Sequence, residues 1–425
     1  MRRIRWPNVC TMCFVWGARA LPLPGLPRYT MSSPRHLVLA CLIFFTIGWV
    51  SAVLGPALPD LAGQAQVNLA TEGGVIAALF VGALLAQVAG GALHDRWGIR
   101  PLLVVGLATL VVGMLGVILS HSIALTLLCG VITGLGHGAV DIGVSLFIAL
   151  AFKHAGVAAL NFTNIFFGAG AIAGPAAAAF ALAHGGTALP ALWGVVGIAL
   201  VAFVFALVSP LPARATGLTH SDSAAVPGRW WRSALIGLLG GLFLLYVGLE
   251  NGLGSWATEL THRVAGQSLA TGALLASGFW FALTAGRVVG SILGTRVTAV
   301  RLLIWCAGGA VGAAALLLAS PLHPVFLVAG IVVFGLSFGP IYPTAVALTT
   351  ARFPHTPGRA TSLVTSLGSL GGVVIPWLQG WLLIQVSPWA SILFIAALVS
   401  LMGGFILSVN TSVTRASVLL PQPTR

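Results

Sequence analysis

The sequence predicts an all-α membrane protein of twelve transmembrane helices, arranged as two pseudo-symmetric six-helix halves. Three observations predict it. Charged residues make up 6% of the 425-residue chain and hydrophobic ones 58%, where a soluble globular protein carries roughly 25% charged residues. So few charges cannot cover a water-facing surface, so lipid is the solvent over most of the area. The apolar residues also fall into runs of about 20, the length that crosses a bilayer. Finally, the second six runs repeat glycines and prolines of the first six at a constant offset.

Taken in order, the runs lie near 37–59, 72–93, 101–120, 123–150, 159–184 and 189–209, then 233–255, 268–292, 300–320, 322–348, 359–384 and 388–410. Residues 1–36 form an N-terminal extension, expected to be disordered. Within it Arg2, Arg3 and Arg5 precede a short apolar stretch, Val9 to Trp16, and then Ala18-Arg19-Ala20. That order resembles a weak signal peptide. It fits better a disordered Arg/Pro extension, or a translated leader upstream of a start at Met31. Residues 37–209 form the first half, 210–232 a polar cytoplasmic linker, 233–410 the second half and 411–425 a cytoplasmic tail.

Lys and Arg set the orientation. With the N-terminus in the cytoplasm, 18 of the 20 Lys and Arg fall in cytoplasmic segments. Arg263 alone lies outside, and Arg287 lies within the eighth span. A bias of this strength is the positive-inside signature of a cytoplasmic membrane, here a bacterial inner membrane, with both termini inside. One helix too many or too few would destroy it. The net charge of +13 is therefore topological and does not mark a nucleic-acid partner. Cys41, Cys129 and Cys306 lie in apolar runs, where Cys is a small hydrophobe. Cys10 and Cys13 form a lone CxxC without the partner pair or context that a zinc or redox site needs. No P-loop, HExxH or paired metal-ligand spacing is present, so neither an enzyme nor a cofactor is expected.

The internal repeat is specific. Gly134-Leu135-x-x-Gly138 recurs as Gly335-Leu336-x-x-Gly339, and the same shift of 201 maps Phe152 onto Phe353, Gly170 onto Gly371 and Pro175 onto Pro376. Parallel six-helix repeats with a solute site between the halves are one of the transporter architectures.

Between the second and third spans the chain reads Gly91-Ala-Leu-His-Asp95-Arg96-Trp-Gly98-Ile-Arg100. This resembles the cytoplasmic loop motif of the major facilitator superfamily, G-x-L-x-D-R-x-G-R-[RK], with Ile99 where a basic residue is usual. The resemblance covers about residues 35–410 and implies the major facilitator fold and alternating-access transport by a monomer. Gly91, Asp95, Arg96, Gly98 and Arg100 would then be a conformational latch. Asp95 can accept from the N-terminal NH groups of a neighbouring helix. Arg96 and Arg100 can pair with acids or lipid phosphates. The counterpart Gly290-Ser-Ile-Leu-Gly294-Thr-Arg296 has no acid.

Three further strings are similar to the fucose–glucose–galactose permease branch: Gly134-Leu-Gly-His-Gly138-Ala-Val-Asp141, Asn161-Phe-Thr-Asn164-Ile-Phe-Phe-Gly168 and Tyr246-Val-Gly-Leu-Glu250-Asn251-Gly-Leu-Gly-Ser-Trp256. That branch implies sugar carriage with protons. It usually has an acid in the first span, where this chain offers Thr46 and Ser51. Gly170-Ala-Ile-Ala-Gly174-Pro175 is similar to the G-x-x-x-G-P of proton antiporters, which keeps efflux of hydrophobic compounds open as an alternative. Those three residues also suit close helix packing.

The intramembrane polar residues are the candidate site. A charge at a helix centre costs roughly 2.5–3.5 kcal/mol on insertion scales, so Asp141 needs a reason to be there. It is either a proton-coupling carboxyl lining the cavity or a neutral acid in a helix–helix hydrogen bond. His137, one turn earlier, can relay a proton or bond to that acid, or else be a packed histidine. Glu250 and Asn251, among Gly248, Gly252 and Gly254, are candidate solute ligands if the helix flexes there, and interface residues if it ends there. Asn161 and Asn164 bind solute or join helices. Tyr246, Trp256, Trp280 and Tyr342 can stack on a sugar ring or belt the interface. Arg287 is expected to snorkel to the cytoplasmic face.

Overall fold

The computed structural model describes residues 34–151, 156–209, 233–353 and 356–418. Most of the N-terminal extension with its Cys10–Cys13 pair, the linker 210–232 and the end of the tail lie outside the described residues. Fourteen α-helices follow in chain order. They are α1 (Pro34–Ala65), α2 (Leu69–Glu72), α3 (Gly74–Trp97), α4 (Ile99–Leu119), α5 (Ile123–Ala151), α6 (Gly156–Gly185) and α7 (Leu189–Val208), then α8 (Ala234–Ala265), α9 (Leu269–Leu293), α10 (Ala299–Leu318), α11 (Pro324–Phe338), α12 (Ile341–Arg352), α13 (Pro357–Trp381) and α14 (Pro388–Val418). A π-helical turn, Leu382–Val386, extends α13. Among the described residues twelve spans are long and apolar enough to cross a membrane, α11 and α12 together making the tenth.

The largest departures from the sequence boundaries have physical causes. α1 begins at Pro34, inside the stretch expected to be disordered, and runs on through Pro56 and Pro59. α8 continues ten residues beyond its expected end at 255, to Ala265. Its polar outer turns are helical because Glu259 pairs with Arg263 one turn on and Thr261 Oγ1 donates to the Ala257 carbonyl. Gly266, at φ 63°, then ends the helix in the left-handed conformation that glycine adopts without strain. Gly248, Gly252 and Gly254 do not interrupt α8, so Glu250 and Asn251 stand mid-helix and not at an outer end. The tenth span, by contrast, is broken. Pro340 has no N–H to continue the ladder, and α11 stops at Phe338 before α12 restarts at Ile341. The repeat places Ala139 at the equivalent position, and there α5 is continuous.

The two halves use equivalent contacts. In the first half α1 packs on α6, α3 on α5, α4 on α5 and α7, and α1 on α7; in the second α8 packs on α13, α9 on α11, α10 on α11 and α14, and α8 on α14. The repeated glycines sit at these crossings. A Cβ on Gly170 would overlap the Phe45 carbonyl of α1, and one on Gly371 the Leu244 carbonyl of α8. Gly134 meets Leu79 of α3 in the same way, and Gly335 meets Phe279 of α9. Gly174 packs on Trp49 of α1, and Pro175 lies inside an unbroken α6.

Between the halves, α6 packs on α9, α3 on α13 and α1 on α8. The closest approaches lie at the end of the bundle away from the described termini. There Gly55 abuts the Ser255 carbonyl, and the Trp256 indole lies against Gly73 and Gly380. Nearer the middle, Ser277 Oγ donates to the Ile172 carbonyl at 2.8 Å, and Ser369 bonds Gln87 at 2.9 Å. Toward the termini, the described parts of α5 and α12 share no packed interface.

Candidate functional site

At mid-bundle the second half holds a buried ion pair. Glu250 on α8 takes a hydrogen bond from Tyr246 Oη at 2.9 Å and one from Arg287 Nη2 of α9 at 3.2 Å, both on Oε1. Arg287 therefore does not snorkel to the membrane face. An acid this deep in the bundle needs a counter-charge, and the cation seven residues after Trp280 supplies it. The guanidinium also lies 5.8 Å from the Phe167 ring centroid, a cation–π distance. Phe167 belongs to α6, so this contact joins the halves.

In the first half, Asp141 is half-buried on α5. Tyr342, at the start of α12, lies within electrostatic reach of Asp141, Glu250 and Arg287 together. The 201-residue offset makes Asp141 and Tyr342 equivalent positions of the two halves, and His137 and Phe338 likewise. An acid and a phenol thus occupy the same place on either side of the pseudo-twofold axis. Tyr342 is 37% exposed and so has a free face.

His137 does not bond Asp141. Its Nε2 lies 3.2 Å from Ser51 Oγ of α1, and Ser51 donates to its own Ile47 carbonyl at 2.8 Å. With the hydroxyl proton committed there, Nε2 carries the imidazole hydrogen. Nδ1 is left as a buried acceptor without a partner. Two buried donors are also unused: Trp280 Nε1 and Arg287 Nε. Buried polar groups are nearly always paired, and Trp280 and Arg287 both approach the same Phe167 ring.

The remaining expected residues divide. Asn251 turns its Nδ2 back to the Val247 carbonyl of its own helix at 2.8 Å, because a short amide on a helix readily bonds the turn below. Tyr246 is no open stacking platform. Its ring is buried against Phe338, 5.5 Å away and stacked. Trp280 is buried too, with its ring against Gly254 and edge-on to Phe167 and Phe279, so only its N–H is available. Trp256 lies in the seam at the end of the bundle away from the described termini, where its Nε1 donates to the Pro376 carbonyl at 2.8 Å. Asn164 is half-buried on α6, and the side chain of Asn161 lies outside those described.

For the loop motif, the side chains of Asp95 and Arg96 are likewise outside those described. Gly98 adopts φ 83°, which turns α3 into α4. Arg100 Nη2 donates to the Leu207 carbonyl at 2.6 Å, in the last turn of α7, where free carbonyls and the helix dipole favour a cation.

An apolar cavity of about 460 Å³ lies between α3, α5 and α13. Gly74, Leu127, Val131, Val374 and Trp377 are among its apolar lining.

The sequence profile of the Major Facilitator Superfamily matches residues 40–323 and 238–424. An uncharacterized MFS-type transporter of Yersinia pestis is 24% identical over 249 residues, which are 59% of this chain and 63% of that protein. The match thus spans less than two thirds of that relative. Among solved structures, the nucleoside transporter NupG superposes with a TM-score of 0.75 at 13% identity, over 88% of this chain and 99% of that one. A D-xylose-proton symporter superposes with a TM-score of 0.72 at 16% identity, over 87% and 96%.

Proposed function

The chain belongs to the Major Facilitator Superfamily, and from that premise we propose that it is a secondary carrier of a small polyhydroxylated solute, such as a sugar, driven by protons through alternating access. One observation carries the reading. His137 Nδ1, Trp280 Nε1 and Arg287 Nε are buried without partners, on helices of both halves, beside an acid on each half. A solute rich in hydroxyls supplies the missing acceptors and donors. The free face of Tyr342 offers a stacking surface for a ring. Asp141 is the coupling carboxyl, since it faces the other half without a counter-ion of its own helix. Glu250 with Arg287 forms the opposite wall of the site, and Asn161 and Asn164 extend it toward the cytoplasm. The similar proteins of known structure carry, by their names, a nucleoside and D-xylose, both ring-bearing polyols. The arginine bias supports termini inside, which makes the closed end of the bundle the outer one. Gly91, Asp95, Arg96, Gly98 and Arg100 latch the inner end in the opposite state.

The apolar cavity, with the Gly170, Gly174 and Pro175 string, favours a second reading, efflux of hydrophobic compounds in exchange for protons. Reconstituted vesicles separate the two. With an imposed proton gradient, the first reading gives accumulation from a panel of pentoses, hexoses and nucleosides. Extrusion of cationic dyes with no polyol signal would transfer the assignment to the second.

A further inference from the structure

Glu72 is fully buried, and both of its carboxylate oxygens are without a partner. It ends the short α2, which packs on α1, α13 and the 382–386 turn. Its neighbour Gly73 lies against the Trp256 indole, and Gly380 of α13 lies against the same ring. Gln379, next to Gly380, is also fully buried, with both its carbonyl oxygen and its amide nitrogen unused. The chain neighbours of a buried acid and a buried carboxamide thus meet one indole at the junction of the two halves, and neither polar side chain is satisfied.

The charged groups of the surrounding elements do not compensate Glu72. Asp60 of α1 accepts from the Ala188 amide at 2.6 Å. Glu259 of α8 is committed to Arg263, and His262 to the Gln267 carbonyl at 2.7 Å. Along α3 the ionisable residues are His94, Asp95 and Arg96, in its last turn; α13 carries Arg359 in its first turn, and the 382–386 turn carries none. A carboxylate buried without a counter-charge is strongly disfavoured, so the closed seam admits Glu72 as the neutral acid. Opening the seam parts Gly73 from Trp256 and lets water reach the carboxyl.

We propose that Glu72 is a second proton-binding site of the carrier, protonated while the outer seam is closed and exchanging its proton with the outer solution when the seam opens. The inference rests on the carrier reading and on the termini lying inside. It differs from the role given to Asp141, which faces the solute site.

The test uses the full chain in liposomes, with spin labels on Gly63→Cys and Gln267→Cys, exposed positions at the outer ends of the two halves. Interlabel distances are recorded between about pH 5 and about pH 9. One linked proton changes the open-to-closed ratio by up to about tenfold per pH unit, and the open fraction of the wild type should rise with pH. Glu72→Gln should stay predominantly closed and lose the Glu72 share of the slope, keeping at most the part that Asp141 contributes. Glu72→Leu, which suits an apolar site, should do the same and guards against misfolding of the first variant. Glu72→Asp should keep the slope. A slope undiminished in Glu72→Gln, or a wild-type distance that ignores pH, overturns the proposal. Solute exchange in the same vesicles distinguishes the failures. Its absence in the wild type counts against the carrier reading, whereas its presence with an unaltered Glu72→Gln profile counts against Glu72 alone.

Discussion

Replacing Arg287 by Met leaves the Glu250 carboxyl in the bundle interior with Tyr246 as its hydrogen-bond donor. The lost contact is a 3.2 Å charge pair, worth about 5 kcal/mol at an effective dielectric of about 20 and about 1.3 kcal/mol in water. The Arg287 side chain is 26% exposed and that of Glu250 10%, so the pair sits between those limits. Breaking a buried pair costs about 3–5 kcal/mol, and the partial exposure of Arg287 puts Arg287→Met at about 3 kcal/mol. Removing both charges, Glu250→Gln with Arg287→Met, removes the stranded charge as well. The double variant should therefore be at least about 2 kcal/mol more stable than the sum of the two single effects predicts. Equilibrium unfolding in mixed micelles, followed by the fluorescence of the 13 tryptophans, measures all four proteins. Single effects that add to within about 0.5 kcal/mol would show that the two side chains do not interact, and the account of the site's second wall would fall.

Other outcomes follow from the same geometry. Gly170→Ala and Gly371→Ala should cost about 1–3 kcal/mol each in the same unfolding assay, and nearly equally, since each drives a methyl into a carbonyl at an equivalent crossing; a large inequality would mean the halves do not pack alike. Pro340→Ala should raise stability by about 1 kcal/mol by restoring a ladder hydrogen bond while slowing solute exchange, and a variant that exchanges at the wild-type rate denies the broken tenth span a role in rocking. Trp280→Phe keeps the ring and removes the N–H, so solute affinity should fall about fivefold, read as a shift in half-saturation; an unchanged value would show that the indole N–H does not meet solute.

Most of the fold was legible because a bilayer admits few solutions. Backbone polar groups must be satisfied within each span, so hydropathy alone placed twelve helices, and their Lys and Arg restricted the count. Boundaries failed where polar residues stay helical, as at Thr258 to His262 in α8, and the left-handed Gly266 was the stop signal that hydropathy overlooks. The site was legible in part. Asp141 and Glu250 stood out as costly acids, but their partners come from tertiary packing. Arg287 was read by its distance from the helix end, when the need of Glu250 for a counter-charge was the better guide. Tyr342 was within reach of sequence reasoning, because the repeat offset sets it opposite Asp141. Ser51 as the partner of His137, and the turn of Asn251 onto its own helix, depend on rotamers that no spacing encodes. Glu72 gave no signal, since a glutamate near a span end reads as solvated until the seam that buries it is seen.

The most direct test of the central claim is the behaviour of Asp141→Asn in proteoliposomes loaded with the transported polyol. The account predicts that this variant loses accumulation driven by an imposed proton gradient while retaining solute counterflow, because the neutral amide mimics the protonated acid and frees the rocking of the halves from proton exchange. Gradient-driven accumulation at the wild-type level in Asp141→Asn would contradict it.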